Sequence, residues 1–235
     1  MNVRVFADDA ALAEAAVADL VACSRAAIVA RGRFELAVSG GRTPATLFAR
    51  LASGPMRAAL DVAHTHIWFA DERAVPPDDA GSNYRMVRES LTGPLAIPAA
   101  NVHRMEGERE DLARAAADYA RALPARFDLI VLGIGEDGHT ASLFPGSSLV
   151  DEHARMVAVV FDSPKPPSRR LTLTPPVLEA ARQVLVLASG EGKAAAVARA
   201  LAAEGDPHAV PSRLVRERDW YLDAAAARGL GPRAG

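Results

Sequence analysis

Mostly apolar runs a few residues long recur along the chain and alternate with longer stretches of helical character. Phe34 to Val38, His66 to Ala70, Leu129 to Leu132 and Val184 to Leu187 have the pattern of strands buried on both faces. Val3 to Phe6, Val102 to Met105 and Met156 to Phe161 add strands, Leu171 to Leu173 is extended, and Trp220 to Leu222 is expected at a sheet edge. Helices are expected over 10–30, capped by Asp8 or Asp9 and ended by Gly32; from Pro44 to about Leu51, with Thr43 as cap; and over 83–91 behind Ser82. Further helices fall over 108–121, 176–182 and from Lys193 to about Ala203, with a short one after Pro211. Residues 224–235 read as a frayed tail. Strands alternating with helices over the whole length predict one α/β domain spanning 1–235, a mainly parallel sheet covered on both faces, with room for a small subdomain.

Composition narrows the field. The chain has 235 residues, of which 50% are apolar and 24% charged, the proportions of a globular protein with a real core. Its formal charge of −2 argues against a nucleic-acid partner. The single cysteine, Cys23, excludes an intrachain disulfide and reads as a small core residue on a helix. MNVRVFADDAAL lacks the basic-then-apolar order of a secretory signal, and no window is apolar enough to span a bilayer. A cytoplasmic protein is expected, and its oligomeric state is left open, with a monomer compatible.

The chemistry gathers where strands end. In open α/β sheets ligands bind at the carboxyl ends of strands. Asp128 to Gly146, DLIVLGIGEDGHTASLFPG, runs from a buried strand into Gly133, Gly135 and Gly138, then presents Asp137 and His139. Glycines there permit tight turns and close approach to a ligand, and His139 is the centre of the expected site. SGGRTP at 39–44 combines exposed backbone N–H groups, the hydroxyls of Ser39 and Thr43, and a helix N-terminus, a set that suits phosphate. An ordinary βα turn is the alternative. ADER at 70–73 follows another strand, as a solvated loop or as a third contributor to the same rim.

Two motif matches do not hold up, and a third motif is absent. GIGEDG fits the dinucleotide-binding spacing, but Pro145 and Gly146 interrupt any helix opening within it, and it lies mid-chain. GEGKA at 190–194 lacks the upstream glycine and the Ser/Thr of a Walker loop, although Lys193 at a helix start can hold phosphate as a point charge. No GxSxG elbow exists. His139 has no second histidine at helical spacing, and His64 and His66 sit on a distant strand, so no metal site is expected. Arg169 and Arg170 follow a proline-rich loop, either as a surface pair or as an anion fork.

SGGRTP, DERAVPPDDAGSNY, GIGEDGHTASLFPG, PKPPSRRLTLT and SGEGKA occur in this order. Together, over about residues 3–223, they resemble the 6-phosphogluconolactonase family. The resemblance implies a modified Rossmann-like α/β fold and hydrolysis of 6-phosphoglucono-δ-lactone to 6-phosphogluconate, the second step of the oxidative pentose phosphate pathway. It implies a phosphorylated sugar lactone as the small-molecule partner and neither metal nor nicotinamide cofactor. Carried over by position, His139 is the general base, with Asp137 either orienting its ring or shaping the turn. Asp71 and Arg73 face the sugar ring and the reacting ester. Ser39, Gly40, Gly41, Thr43 and Gly135 form the substrate cradle, with Arg170 and Lys193 as cations for the phosphate. The related glucosamine-6-phosphate deaminases share the glycine loop and the DGH, but their pattern DGHIAFNEP places a glutamate where Phe144 stands here. A sugar-phosphate sensor without catalysis would keep the phosphate loops and have no need of His139.

Overall fold

The structure, a computed structural model, describes residues 2–231. Along them run β1 (Asn2–Phe6), α1 (Asp9–Arg31), β2 (Phe34–Val38), α2 (Arg42–Ser53), β3 (Thr65–Phe69), β4 (Asp71–Arg73), α3 (Asn83–Val87) and β5 (Val102–His103). Then follow α4 (Leu112–Ala122), β6 (Leu129–Gly133), β7 (Val157–Val160), β8 (Arg170–Leu173), α5 (Pro175–Ala180), β9 (Gln183–Ala188), α6 (Ala194–Leu201) and β10 (Asp219–Asp223). Seven strands pair in the order β1-β10-β9-β6-β2-β3-β5, every neighbour parallel. The other three form a small antiparallel sheet, β4-β8-β7, which is the expected subdomain. This is the mainly parallel α/β arrangement anticipated from the sequence.

The core explains why the runs became strands. β2 is buried along its whole length, and Leu129 to Leu132 of β6 are buried between β2 and β9. α1 lays Leu12, Ala16, Leu20 and Ala27 on the sheet, a stripe at helical spacing whose small residues bring the backbones close. Asp8 caps this helix by accepting from the Ala11 N–H at 2.8 Å, and Gly32, at φ 78°, ends it. Phe34, Phe48, Phe69, Phe127 and Trp220 are all fully buried, each worth roughly 1.5–3 kcal/mol. No described helix is long and apolar enough to cross a membrane.

Four expectations need correction. Trp220 to Leu222 is not an edge: β10 lies between β1 and β9, its apolar residues buried, and the more polar β1 takes the edge. Asp71 to Arg73 is a strand rather than a loop, because buried Glu72 satisfies its oxygens on the N–H groups of Arg73, Asn83 and Tyr84 and on the Ser82 hydroxyl. Thr43 is not a cap. α2 begins at Arg42 behind Gly41, whose φ of 108° brings the chain into the helix without a side-chain bond. The stretch after 223 is not frayed as far as it is described: residues 224–229 form turns anchored by Ala226, which is fully buried with its N–H on Asp223 Oδ1 at 2.7 Å. Residues 232–235 of that expected tail lie outside the described residues.

Candidate active site

The strand order reverses between β2 and β6: from β2 the chain progresses outward to β3 and β5, and from β6 outward to β9 and β10. Loops leaving the carboxyl ends of strands on either side of such a reversal diverge and leave a crevice. A cavity of about 380 Å³ opens there. Ser39, Gly40 and Gly41 line it from the loop after β2, Thr43 from the first turn of α2, Asp71 and Arg73 from β4, and Gly135 and His139 from the loop after β6. Arg170 of β8 and Lys193, in the turn after β9, complete the set of expected residues that reach it. Asp137 does not line the cavity. It stands behind His139.

The loop after β6 is folded to present that histidine. The Gly135 N–H donates to the His139 carbonyl at 2.8 Å, the Gly138 N–H donates to the Gly135 carbonyl at 3.0 Å, and Gly138 holds φ 94°. Asp137 Oδ1 lies 2.5 Å from His139 Nδ1 and also accepts the His139 backbone N–H at 3.3 Å. Burial opposes the charge on Asp137. The hydrogen bond and field of His139, helped by Lys165, outweigh it and hold the carboxyl far below the usual carboxylate range. An ionised Asp137 can only accept, so the ring nitrogen facing it, Nδ1, is the donor of this contact. The Phe144 ring packs against the imidazole, 4.7 Å between centroids, so the position that carries an acid in the deaminase pattern supplies a wall here.

The small sheet supplies the opposite side. Asp71 is buried; its Oδ2 accepts the Ser142 hydroxyl at 2.8 Å, and its Oδ1 accepts from Asn83 Nδ2 at 3.2 Å. Arg73 Nη1 donates to the Gly81 carbonyl at 2.6 Å, while its Nε is buried with no partner among the described residues. Arg170 is more committed than a free anion fork. Its guanidinium donates to the carbonyls of Pro167 at 3.1 Å and Lys165 at 2.9 Å, more weakly to that of Pro166 at 3.4 Å, and at 3.5 Å to the Ser142 hydroxyl. Of five N–H groups, one on Nη1 is left for a ligand. Arg170 is therefore a brace for the 161–169 loop as well as a cation of the cavity.

The remaining end suits an anion. Ser39 is buried at the cavity, and its hydroxyl has no partner among the described residues. A Cβ on Gly40 would lie 1.9 Å from Asn83 Oδ1, so that glycine lets the loop pass beneath α3. Across the crevice, the turn bearing Lys193 is held by Asp223, which accepts the Ser189 hydroxyl at 2.8 Å and the Gly190 N–H at 2.9 Å. Burial lowers the Lys193 pKa; Glu136 and Asp137 oppose that, while Lys165 and Arg42 add like charge. Arg42, Arg73, Lys165, Arg170 and Lys193 thus face only Asp71 and Glu136 as lining carboxylates. A bound dianion would relieve that imbalance.

Sequence reasoning missed Arg42, Glu136, Ala141 and Lys165 as lining residues. Arg42 and Lys165 lie inside motifs already singled out, SGGRTP and PKPPSRR, and their charge was the available signal. Ala141 carried none: it adopts φ 48° in the bend after His139, a conformation set by tertiary packing. Among the described residues no group of three or more His, Cys, Asp or Glu is placed to hold a metal ion.

A mainly parallel sheet with a glycine-rich, cation-lined crevice at its crossover and an Asp137–His139 pair at its edge defines an α/β protein whose crevice suits a small anionic molecule. The model of the family described as glucosamine-6-phosphate isomerases/6-phosphogluconolactonase matches residues 7–222. The chain is 43% identical over 233 residues to the 6-phosphogluconolactonase of Rattus norvegicus, covering 92% of this chain and 89% of that one. It is 42% identical to the human 6-phosphogluconolactonase, with the same coverage of both chains. Its fold matches the solved 6-phosphogluconolactonase of Trypanosoma brucei with a TM-score of 0.86 at 30% identity, over 98% of each chain. The chain belongs to the glucosamine-6-phosphate isomerase/6-phosphogluconolactonase family.

Proposed function

We propose that this chain hydrolyses 6-phospho-D-glucono-1,5-lactone to 6-phospho-D-gluconate, the second step of the oxidative pentose phosphate pathway, in the cytoplasm, with His139 as general base. One observation carries the reading: an imidazole with Nδ1 tied to Asp137 at 2.5 Å opens onto a cavity whose other wall is a cationic, glycine-rich anion cradle. The phosphate would sit among Ser39, Gly40, Gly41, Thr43 and Lys193, with the sugar ring extending past Asp71 and Arg73 towards His139. Water attacks the lactone carbonyl carbon as its proton passes to Nε2, and the resulting imidazolium is stabilised by Asp137. The negative charge that develops on the carbonyl oxygen meets Arg73 or backbone N–H groups of the glycine turn. When the tetrahedral intermediate collapses, the C–O bond to the ring oxygen breaks and that oxygen takes the proton back from Nε2. The product acid then ionises. A δ-lactone also opens spontaneously, so one base with good positioning accounts for the acceleration required.

The test is hydrolysis of freshly generated lactone, corrected for its spontaneous rate, with chelator present and glucosamine 6-phosphate assayed in parallel. Acceleration of lactone opening without ammonia release is expected; no acceleration overturns the proposal. In the same assay Lys193→Ala should raise KM by roughly 10–100-fold, the worth of one charged hydrogen bond, with little change in kcat. Arg170→Ala should lower kcat as well, because it also releases the 161–169 loop. Equal effects of the two on kcat would contradict this division of roles.

A further inference from the structure

The link between β7 and β8, residues 161–169, is held more firmly than a surface connection requires. The Ser163 N–H donates to the Ser168 carbonyl at 2.9 Å and closes the link on itself. The Ser163 hydroxyl then brackets Lys165, donating to its carbonyl at 2.9 Å and accepting its N–H at 3.2 Å. Arg170 grips the same Lys165 carbonyl from the sheet side at 2.9 Å. Connecting segments are usually the mobile parts of a fold, yet here both backbone polar groups of one residue are pinned. Its side chain is half exposed, yet its ammonium turns back towards the loop after β6. Lys165 Nζ lies 3.5 Å from Asp137 Oδ2, the oxygen not used by His139.

We infer that Lys165 is a positioning residue for the general base: its ammonium shares the Asp137 carboxylate with the imidazole, fixing that carboxylate and offsetting its pull on the ring. The inference rests on the reading of His139 as the base. A carboxylate beside an imidazole favours the protonated ring, and a cation on the same carboxylate opposes that preference. A base is most useful when it is unprotonated at working pH yet still able to accept a proton. The other charges around the ring are spread over several elements: Glu136 on its own loop, Asp71 and Arg73 on β4, Arg170 on β8, Arg42 at the start of α2, and Lys193 after β9. Among the described residues, Lys165 is the cation in ion-pair contact with Asp137 other than His139 itself.

The experiment compares wild type, Lys165→Met and Lys165→Arg by two readouts: the pH profile of kcat/KM, and the NMR titration of the His139 ring proton, assigned by its loss in His139→Ala. Lys165→Met keeps the length of a half-exposed side chain and removes its charge. Its acidic limb and the His139 titration midpoint should both move to higher pH by roughly half a unit, the effect of one partly screened charge nearby, while Lys165→Arg should stay close to wild type. An unmoved midpoint with a raised KM would make Lys165 a phosphate ligand. An unmoved midpoint with kcat lowered evenly at every pH would make it an oxyanion cation. Either result overturns the inference. The NMR titration needs no turnover, so the parent reading fails separately: a wild-type acidic limb that does not follow the His139 titration would remove His139 as the base, whatever Lys165 does to the ring.

Discussion

Gly135→Ala is expected to reduce kcat by roughly 10²–10⁴-fold, the full contribution of a general base, while the sheet stays folded. A Cβ at position 135 would lie 2.0 Å from His139 Nδ1, 2.2 Å from its Cε1 and 2.4 Å from Asp137 Oδ1. No real side chains approach that closely, so the imidazole must leave its place or lose its carboxylate. Gly135 is not held at positive φ, so backbone conformation does not forbid the alanine; the conflict is with the histidine itself. Overpacking of this kind costs roughly 1–3 kcal/mol, and here the ring can absorb part of it by rotating towards the open cavity. Thermal unfolding should therefore show a folded protein with a modestly lower Tm, and the lactone assay should show one nearly without activity. A variant retaining most of the wild-type kcat would mean that His139 works from another position.

The part of this site legible in the sequence was the part governed by local rules. Strand ends could be read from the apolar runs, and glycines, hydroxyls and charges just beyond them mark the rim in any parallel sheet. Ser39, Gly40, Gly41, Thr43, Gly135, His139 and Lys193 all reach the cavity for that reason. The errors fell where a remote partner decides. Asp71-Glu72-Arg73 was read as a loop, solvated or on the rim, rather than a strand, because most of the partners of Glu72 are remote: besides the Arg73 N–H they are the N–H groups and hydroxyl at 82–84, delivered by the start of α3. Trp220 to Leu222 was expected at an edge, whereas the sheet places β1, nearly the whole chain away in sequence, outside it. Lys165 was missed for the same reason. The contact that gives it meaning spans 165 to 137, and spacing does not encode it. The resemblance to a known family covered these gaps for identity but not for the geometry around Lys165 and Arg170.

His139→Ala should lower kcat by roughly 10²–10⁴-fold and abolish the acidic limb that reports the base, without weakening the hold on phosphate. His139 is not among the groups proposed to grip phosphate. Binding of the product 6-phosphogluconate, measured by calorimetry, should therefore stay within a few-fold of wild type. Truncation removes a packing partner of Phe144 but frees the space that a Cβ at position 135 would need. This gives a sharper test than either variant alone. If Gly135→Ala acts by displacing His139, the double variant Gly135→Ala/His139→Ala should be no slower than His139→Ala, and the stability lost through Gly135→Ala should largely vanish in the His139→Ala background. Residues that act as a unit are non-additive in this way, whereas independent losses multiply. A double variant slower than His139→Ala by the full factor of Gly135→Ala would show that the glycine serves the substrate rather than the base. A folded His139→Ala enzyme with undiminished turnover would end the general-base assignment itself.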